Sequence, residues 1–303
     1  MTYHIPVLLN ECIDGLNIMP DGTYVDLTYG GGGHSKAILE KLGPAGRLIA
    51  FDQDNDAQAN KIDDDRLILI NQNFKFMKSN LKLLKALPVD GVLADLGISS
   101  HQIDSGERGF SIRFDAALDM RMNQNQQLNA YQVINSYEEE KLRFIFKFYG
   151  ELPEAGKIAK HLINVRSDRQ IKTTSELIDL LKGFRPANKL NKFLAQVFQA
   201  IRIEVNNELE SLKSMLLQTI EVIRPGGRLV VMSYHSLEDR LVKQLMKQGK
   251  LEGEAEKDLY GRVYLPFKML TTKPITPNEE EIKVNSRARS AILRIAVKHE
   301  YEN

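Results

Sequence analysis

Between residues 23 and 95, short runs of β-branched and apolar residues alternate with longer amphipathic stretches. This alternation predicts βαβ units stacked into a parallel sheet. Strands are expected at 23–27, 47–51, 67–70 and 91–95. Helices are expected between them, in SKAILEKL at 35–42 and KSNLKLLKAL at 78–87, where apolar positions recur at helical spacing. From about 124 to 220 the pattern turns wholly helical, through AYQVINSYEEEKLRFIFKFYG, EAGKIAKHLINVRSDR, TSELIDLLKGF and one long run, FQAIRIEVNNELESLKSMLLQTIEVI. Strand-like runs then return in GGRLVVMSYHS, 226–236, after a Pro-Gly turn, and in SAILRIAVK, 290–298. The fold class expected is therefore α/β, a doubly wound, mostly parallel sheet interrupted by an all-helical insertion. The bounds expected are 1–106 and 201–303 for the sheet domain and 107–200 for the inserted domain. The segment 247–262 is polar enough to be a mobile loop, and no internal repeat is seen.

Composition changes this picture little. A chain of 303 residues with 43% hydrophobic content can bury a sizeable core. The single cysteine, Cys12, excludes an internal disulfide and cannot make a cysteine zinc site, which suits a reducing cytoplasm. No basic leader opens the chain, and no apolar run approaches the roughly 18 residues of a spanning helix, so neither export nor a membrane role is expected. Net charge is only +1, but its distribution is uneven. Residues 52–65 hold Asp52, Asp54, Asp56, Asp63, Asp64 and Asp65. Bases follow in 157–192, at Lys157, Lys160, Arg166, Arg169, Lys172, Lys182, Arg185, Lys189 and Lys192. Such a run is ordinarily the wet face of helices; beside a cofactor domain it also raises a polyanionic substrate.

The chemistry centres on VDLTYGGGGHS, 25–35, where a strand carrying one acid meets four glycines and a helix start. Glycines let backbone N–H groups approach a ligand closely. A dinucleotide fingerprint counted from Gly30 and Gly32 would put Ser35 at its third small position. A methyltransferase loop instead uses Asp26, Thr28, Gly30 and Gly32, with Thr28 in place of a glycine. An acid at the strand end suits a ligand bearing an ammonium and a sulfonium and would repel a pyrophosphate, which favours S-adenosylmethionine. Ligands of open parallel sheets lie beyond the carboxyl ends of the strands. Asp52, ending the second strand, is placed to accept from ribose hydroxyls, or else only to cap a helix. Phe74 follows the third strand, to cover an adenine or to pack in the core. Asp95 ends the fourth, nearest a methyl poised for transfer; its bland alternative is a turn cap through Ser99. His34 reads as a helix start without a second metal ligand beside it, so no metal is expected, and His235 reads as a loop anchor.

In chain order, DLTYGGGGHS, FDQD, ADLGISSHQIDSGERGF, LDMRM, FQAIRIEVNNEL, SYHSLEDR and NSRARSAILR resemble the successive motifs of the MraW family, nearly end to end. That resemblance implies a class I methyltransferase fold with an inserted helical substrate domain and S-adenosylmethionine as cofactor. It also implies 16S rRNA as partner within the small ribosomal subunit, methylated on the exocyclic 4-amino group of a cytidine, position 1402, in the decoding centre. Carried over by motif, the cofactor contacts fall on Gly32, Gly33, His34, Asp52, Phe74, Asp95 and Gln102; those of His34 and Gln102 come from the resemblance alone. As the amine nitrogen gains positive charge it must lose a proton, and Asp95 is the expected acceptor, with His235 a secondary candidate. Phe110, Phe114 and Tyr234 are candidates to cover the base. Arg108, Arg121, Arg202, Arg287 and Arg289 are candidates for phosphate or for neighbouring acids. The chain departs from the family pattern at His101, Ala117, Asn123 and Ser286, and in ELPEA (151–155) and KFLAQ (192–196). Rival readings are a dinucleotide-dependent oxidoreductase and a ribosome assembly factor that binds RNA without turnover. A homodimer is among the candidate assemblies.

Overall fold

Side chains of a strand point alternately to its two faces, and a sheet covered on both sides therefore reads as continuous apolar runs. The computed structural model describes residues 6–255, 263 and 265–300, and its sheet is built this way. Seven strands, β1 (Thr23–Asp26), β2 (Arg47–Phe51), β3 (Leu67–Ile70), β4 (Val89–Asp95), β5 (Ile223–Ser233), β6 (Phe267–Met269) and β7 (Ile292–Lys298), lie in the order β3-β2-β1-β4-β5-β7-β6. Strands β1 to β5 pair in parallel, and β7 runs antiparallel to both its neighbours. The chain leaves β1 toward β2 and β3, then returns to pair β4 on the other side of β1, so the switch point falls between β1 and β4. This is the class I methyltransferase sheet that the resemblance implied.

The helices are α1 (Leu9–Leu16), α2 (Gly33–Lys41), α3 (Asn55–Ala59), α4 (Met77–Leu83), α5 (Ser100–Asp104), α6 (Ala130–Ser136), α7 (Glu139–Phe148), α8 (Ala155–Asp168), α9 (Thr174–Leu181), α10 (Ala187–Asn206), α11 (Glu208–Val222), α12 (Ser236–Gln248) and α13 (Glu279–Val284). On one face of the sheet Val25, Ile49, Phe51, Val92, Ala94, Leu229 and Val231 pack with Met77 and Leu81 of α4, Leu212 and Met215 of α11, and Leu245 of α12. On the other, Tyr24, Leu48, Ala50, Leu93, Val230 and Met232 pack with Cys12 and Leu16 of α1 and Ile38 of α2. Each such buried Leu, Ile or Phe contributes about 1.5–3 kcal/mol.

The chain divides into two units, Met1–Gly97 with Leu209–Asn303, and Ile98–Glu208. The second begins and ends about eight or nine residues outside the expected 107–200. Its core joins Leu142, Ile145 and Phe146 of α7 to Ile158 and Leu162 of α8, Leu177 of α9, and Val197 and Ile201 of α10. The segments that depart from the family pattern meet here: Leu152 and Ala155 share this core with Phe193 and Leu194, and Gln196 Nε2 donates to the Gly150 carbonyl (3.1 Å). The run expected as one long helix is broken at Asn207, which adopts φ 50° and caps α10, a left-handed conformation that asparagine tolerates. The helix expected over 78–87 stops early, and Lys85 takes φ 50°. Within the expected mobile loop, α12 runs to Gln248 and residues 256–262 lie outside the described residues. Among the described residues no helix is long and apolar enough to cross a membrane.

Candidate functional site

The switch point carries a chain of hydrogen bonds that begins at β1. Asp26 is buried, and its carboxylate accepts from the Thr28 amide (3.1 Å) and from the Ser35 hydroxyl (2.7 Å). That second bond holds the first turn of α2 against the strand. It also accounts for Ser35, which is buried as a support for Asp26. Thr28 then reaches across: its Oγ1 accepts from the Asp95 amide (2.7 Å), tying the carboxyl end of β1 to that of β4. Asp26 thus shapes the loop from beneath.

The glycines serve geometry. Gly30 (φ 52°) and Gly32 (φ 78°) sit in the left-handed region, and the Gly32 amide donates to the Tyr29 carbonyl (2.7 Å). A Cβ on Gly33 would lie 2.3 Å from Pro6 Cγ, whereas one on Gly31 would meet nothing within 4 Å. Tyr29 is buried and pins the far side, its hydroxyl donating to the Asn60 carbonyl (2.8 Å) and accepting from the Ile62 amide (2.9 Å). Gly33, His34 and Ser35 open α2, where first-turn amides lack intrahelical acceptors and the helix dipole favours an anion such as a carboxylate.

Asp52 follows β2 and accepts from the Gly30 amide (2.8 Å) through one oxygen and from the Asp54 amide (2.8 Å) through the other. Burial nevertheless raises its carboxyl to about 6, with Asp54 and Asp26 adding to the rise and the two amides opposing it. Asp95 is raised to about 6 as well, chiefly by desolvation, while His34 and the Tyr234 hydroxyl favour its charged form. Tyr234 donates to Asp95 Oδ1 (2.9 Å), and His34 Nδ1 stands 3.9 Å from Oδ2. His34 is only 6% exposed, and its Nε2 is buried with no hydrogen-bond partner.

The loop, His34, Asp52 and Asp95 are therefore assembled in one place. Phe74 opens a 3-10 turn, Phe74–Phe76, just after β3, partly buried against the sheet core, with Asn73 capping the turn. Gln102 belongs to the helical unit, where it is buried and forms a capping box with Ser99 at the start of α5. His235 is the N-cap of α12, accepting from the Glu238 amide (3.4 Å), with Nε2 3.2 Å from Glu238 Oε1. Of the three aromatics considered for the base, Phe110 is buried in the helical core, Phe114 is exposed, and Tyr234 is the one bonded to Asp95.

Of the candidate arginines, Arg108, Arg121 and Arg202 are engaged inside the fold. Arg108 donates to the carbonyls of Arg121 and Met122 (2.6 and 2.9 Å). Arg121 forks onto Asp119 (2.8 Å for each bond), and Arg202 onto Glu208 (2.8 and 2.9 Å). Arg287 lies in the turn Ser286–Ser290 and Arg289 is exposed. In the basic stretch, Arg185 pairs with Glu154 (2.5 Å), Lys182 with Asp179 (2.5 Å), and Arg166 donates to the Ile134 carbonyl (2.8 Å); Lys157, Lys160, Arg169, Lys172, Lys189 and Lys192 are exposed.

The donor set fits S-adenosylmethionine. Two carboxyls raised by desolvation gain from a cationic ligand, the α2 amides face a carboxylate group well, and the orphaned His34 Nε2 is the kind of buried polar atom a ligand satisfies. What the motif reading missed was Thr28 as the strand-to-strand link, Ser35 as the support of Asp26, and the Tyr234 bond to Asp95.

Residues 1–299 match the MraW methylase family. The chain is 58% identical over 298 residues to the ribosomal RNA small subunit methyltransferase H of Flavobacterium johnsoniae, covering 98% of each chain. It is 57% identical to the protein of that name from Christiangramia forsetii, again over 98% of each. The one from Bacteroides thetaiotaomicron is 51% identical, with the same coverage. An acid-supported glycine loop at the switch point, a carboxyl at the end of β4, and a match over almost the whole chain all point the same way: the chain belongs to the MraW methylase family.

Proposed function

We propose that this chain is an S-adenosylmethionine-dependent methyltransferase of the small ribosomal subunit RNA, acting on the exocyclic 4-amino group of a cytidine, position 1402, in the decoding centre of 16S rRNA. The observation that carries the reading is Asp95, a half-buried carboxyl at the end of β4 beside the glycine loop, bonded by the Tyr234 hydroxyl, faced by His34 and raised to about 6 by desolvation. Gly32, Gly33 and His34 hold the cofactor through the loop and the start of α2, Asp52 accepts from its ribose, and Phe74 covers its adenine. When bound, the cofactor supplies a methyl group already activated by a sulfonium.

The protein's own work is then positional and protonic. A cytosine amine is a poor nucleophile because its lone pair is delocalised into the ring, so holding it in line matters most, worth about 7–11 kcal/mol in favourable cases. Asp95 accepts the proton that the methylated nitrogen sheds. A carboxyl at about 6 is mostly ionised at neutral pH, yet basic enough to take that proton. His235, as the cap of α12, acts by holding the segment after β5 in place. The exposed bases of 157–192 meet RNA phosphates, the substrate is the small-subunit particle in the cytoplasm, and a homodimer is a candidate assembly.

Mass spectrometry of 16S rRNA from cells with and without the protein tests the reading: loss of one methyl on the 4-amino group at position 1402 is expected. Loss at another nucleotide would overturn the site assignment. Tritiated methyl transfer to undermodified small subunits and to naked rRNA completes the test, and incorporation into neither would favour an assembly factor without turnover.

A further inference from the structure

Asp95 is gripped from several elements at once. Its amide is held by Thr28, its Oδ1 by the Tyr234 hydroxyl (2.9 Å), and its Oδ2 faces His34 Nδ1 at 3.9 Å. Tyr234 is fixed in turn. Its amide donates to Glu238 Oε2 (2.9 Å), and its ring lies against Gly97, whose φ of 99° turns the chain after β4. A Cβ built on Gly97 would sit 3.4 Å from that ring. The other charged or titratable groups facing the pair are Asp26 of β1, Glu238 of α12 and Cys12 of α1.

We propose that Tyr234 is the positioning residue for Asp95, its hydroxyl occupying Oδ1 so that Oδ2 is the oxygen that takes the proton from the methylated amine. In that step the N–H bond breaks, its electron pair stays on nitrogen to leave a neutral secondary amine, and an O–H bond forms at Oδ2. This rests on the reading of Asp95 as proton acceptor. Without the hydroxyl, the carboxyl is free to rotate about its last torsion and loses the donor at Oδ1. Burial and the nearby carboxylates raise the Tyr234 phenol above its ordinary value, so it remains a protonated donor across the working range. It therefore favours the ionised carboxylate at every pH at which the enzyme works, against the desolvation that opposes it.

Tyr234→Phe keeps the ring and removes only the hydroxyl, which separates this role from stacking on a base. The acid limb of the single-turnover rate against pH, measured on undermodified small subunits, is expected to move up by about one unit, with RNA affinity unchanged. Incorporating 3-fluorotyrosine at position 234, a stronger donor, is expected to move the limb down. Carbon-13 NMR of labelled aspartate reads the Asp95 titration directly, so the shift can be followed even where turnover is weak. A wild-type limb and rate in the phenylalanine variant, or a fluorotyrosine shift of the wrong sign, would overturn the proposal. Full activity in Asp95→Asn would instead remove the acceptor reading itself, independently of anything Tyr234 does.

Discussion

Asp95→Asn should make the cofactor-free protein more stable at pH 8 while nearly abolishing methyl transfer. The magnitude follows from the raised carboxyl. Folding moves it from the ordinary 3.8 to about 6, and about two units at 1.36 kcal/mol each is roughly 3 kcal/mol. The folded state prefers the neutral acid, so the stabilising contribution is whole below pH 4, drains away between about 4 and 6, and is gone above 6. Asparagine is neutral throughout and keeps an oxygen to accept from Tyr234. It must also lodge an amide group beside His34, so about 1–2 kcal/mol of the ceiling should be realised, or a rise in Tm of about 2–6 °C. Thermal unfolding without cofactor at pH 8 and at pH 4 measures this. The variant should lead at pH 8 and fall slightly below the parent at pH 4, where only the cost of the amide remains, while transfer falls by roughly 100-fold or more. A variant no more stable at pH 8, or equally shifted at both pH values, would refute the claim that desolvated charge is what the fold holds there.

Other consequences are as direct. Asp52→Ala should weaken S-adenosylmethionine binding by roughly 10- to 100-fold in calorimetry, the worth of charge-assisted bonds to a ribose, and unchanged affinity would remove Asp52 from the sugar. Gly33→Ala should cost about 1–3 kcal/mol in denaturant unfolding, because its Cβ would collide with Pro6, whereas Gly31→Ala should stay within about 0.5 kcal/mol; equal effects would contradict the loop geometry. Arg121→Ala and Arg202→Ala should lower stability but leave the salt dependence of RNA binding unchanged, since both guanidiniums are already forked onto Asp119 and Glu208. Because a cation favours the ionised forms of Asp52 and Asp95, affinity for S-adenosylmethionine should rise between pH 5 and 7, and that for the uncharged-sulfur product less so; parallel profiles would show that the sulfonium does not sense them.

The sheet was legible because its signal is local. Strands covered on both faces make apolar runs that declare themselves, and β2 and β3 fall on the residues expected. Elements set by single residues were harder. Nothing in the periodicity of 198–222 marks Asn207 as a break, since both flanking helices carry the same spacing and only the left-handed conformation of one residue separates them. Strand β6 is three residues long, below the length at which alternation can be read. The departures at 151–155 and 192–196 lie about forty residues apart along the chain, yet Leu152, Ala155, Phe193 and Leu194 fill one core, a meeting that the pattern along the chain does not record.

The site was legible to the extent that its residues stand at strand ends. Asp52 and Asp95 follow from topology alone, because the carboxyl edge of a parallel sheet is where its chain turns and its ligands lie. Their chemistry does not follow so simply. The bonds that orient Asp95 span 67 residues to Thr28 and 139 to Tyr234, and a motif read along the chain carries no record of which side chains meet across it. Asp26 shows the same limit from the other side. As an acid ending the first strand it suggested a partner for a cationic ligand, but in the fold its two oxygens hold Thr28 and Ser35. An acid in that place is needed whatever the ligand, because it shapes the loop. The electrostatic preference for a cation therefore lies with Asp52 and Asp95, the two carboxyls that the fold keeps desolvated and only partly satisfied.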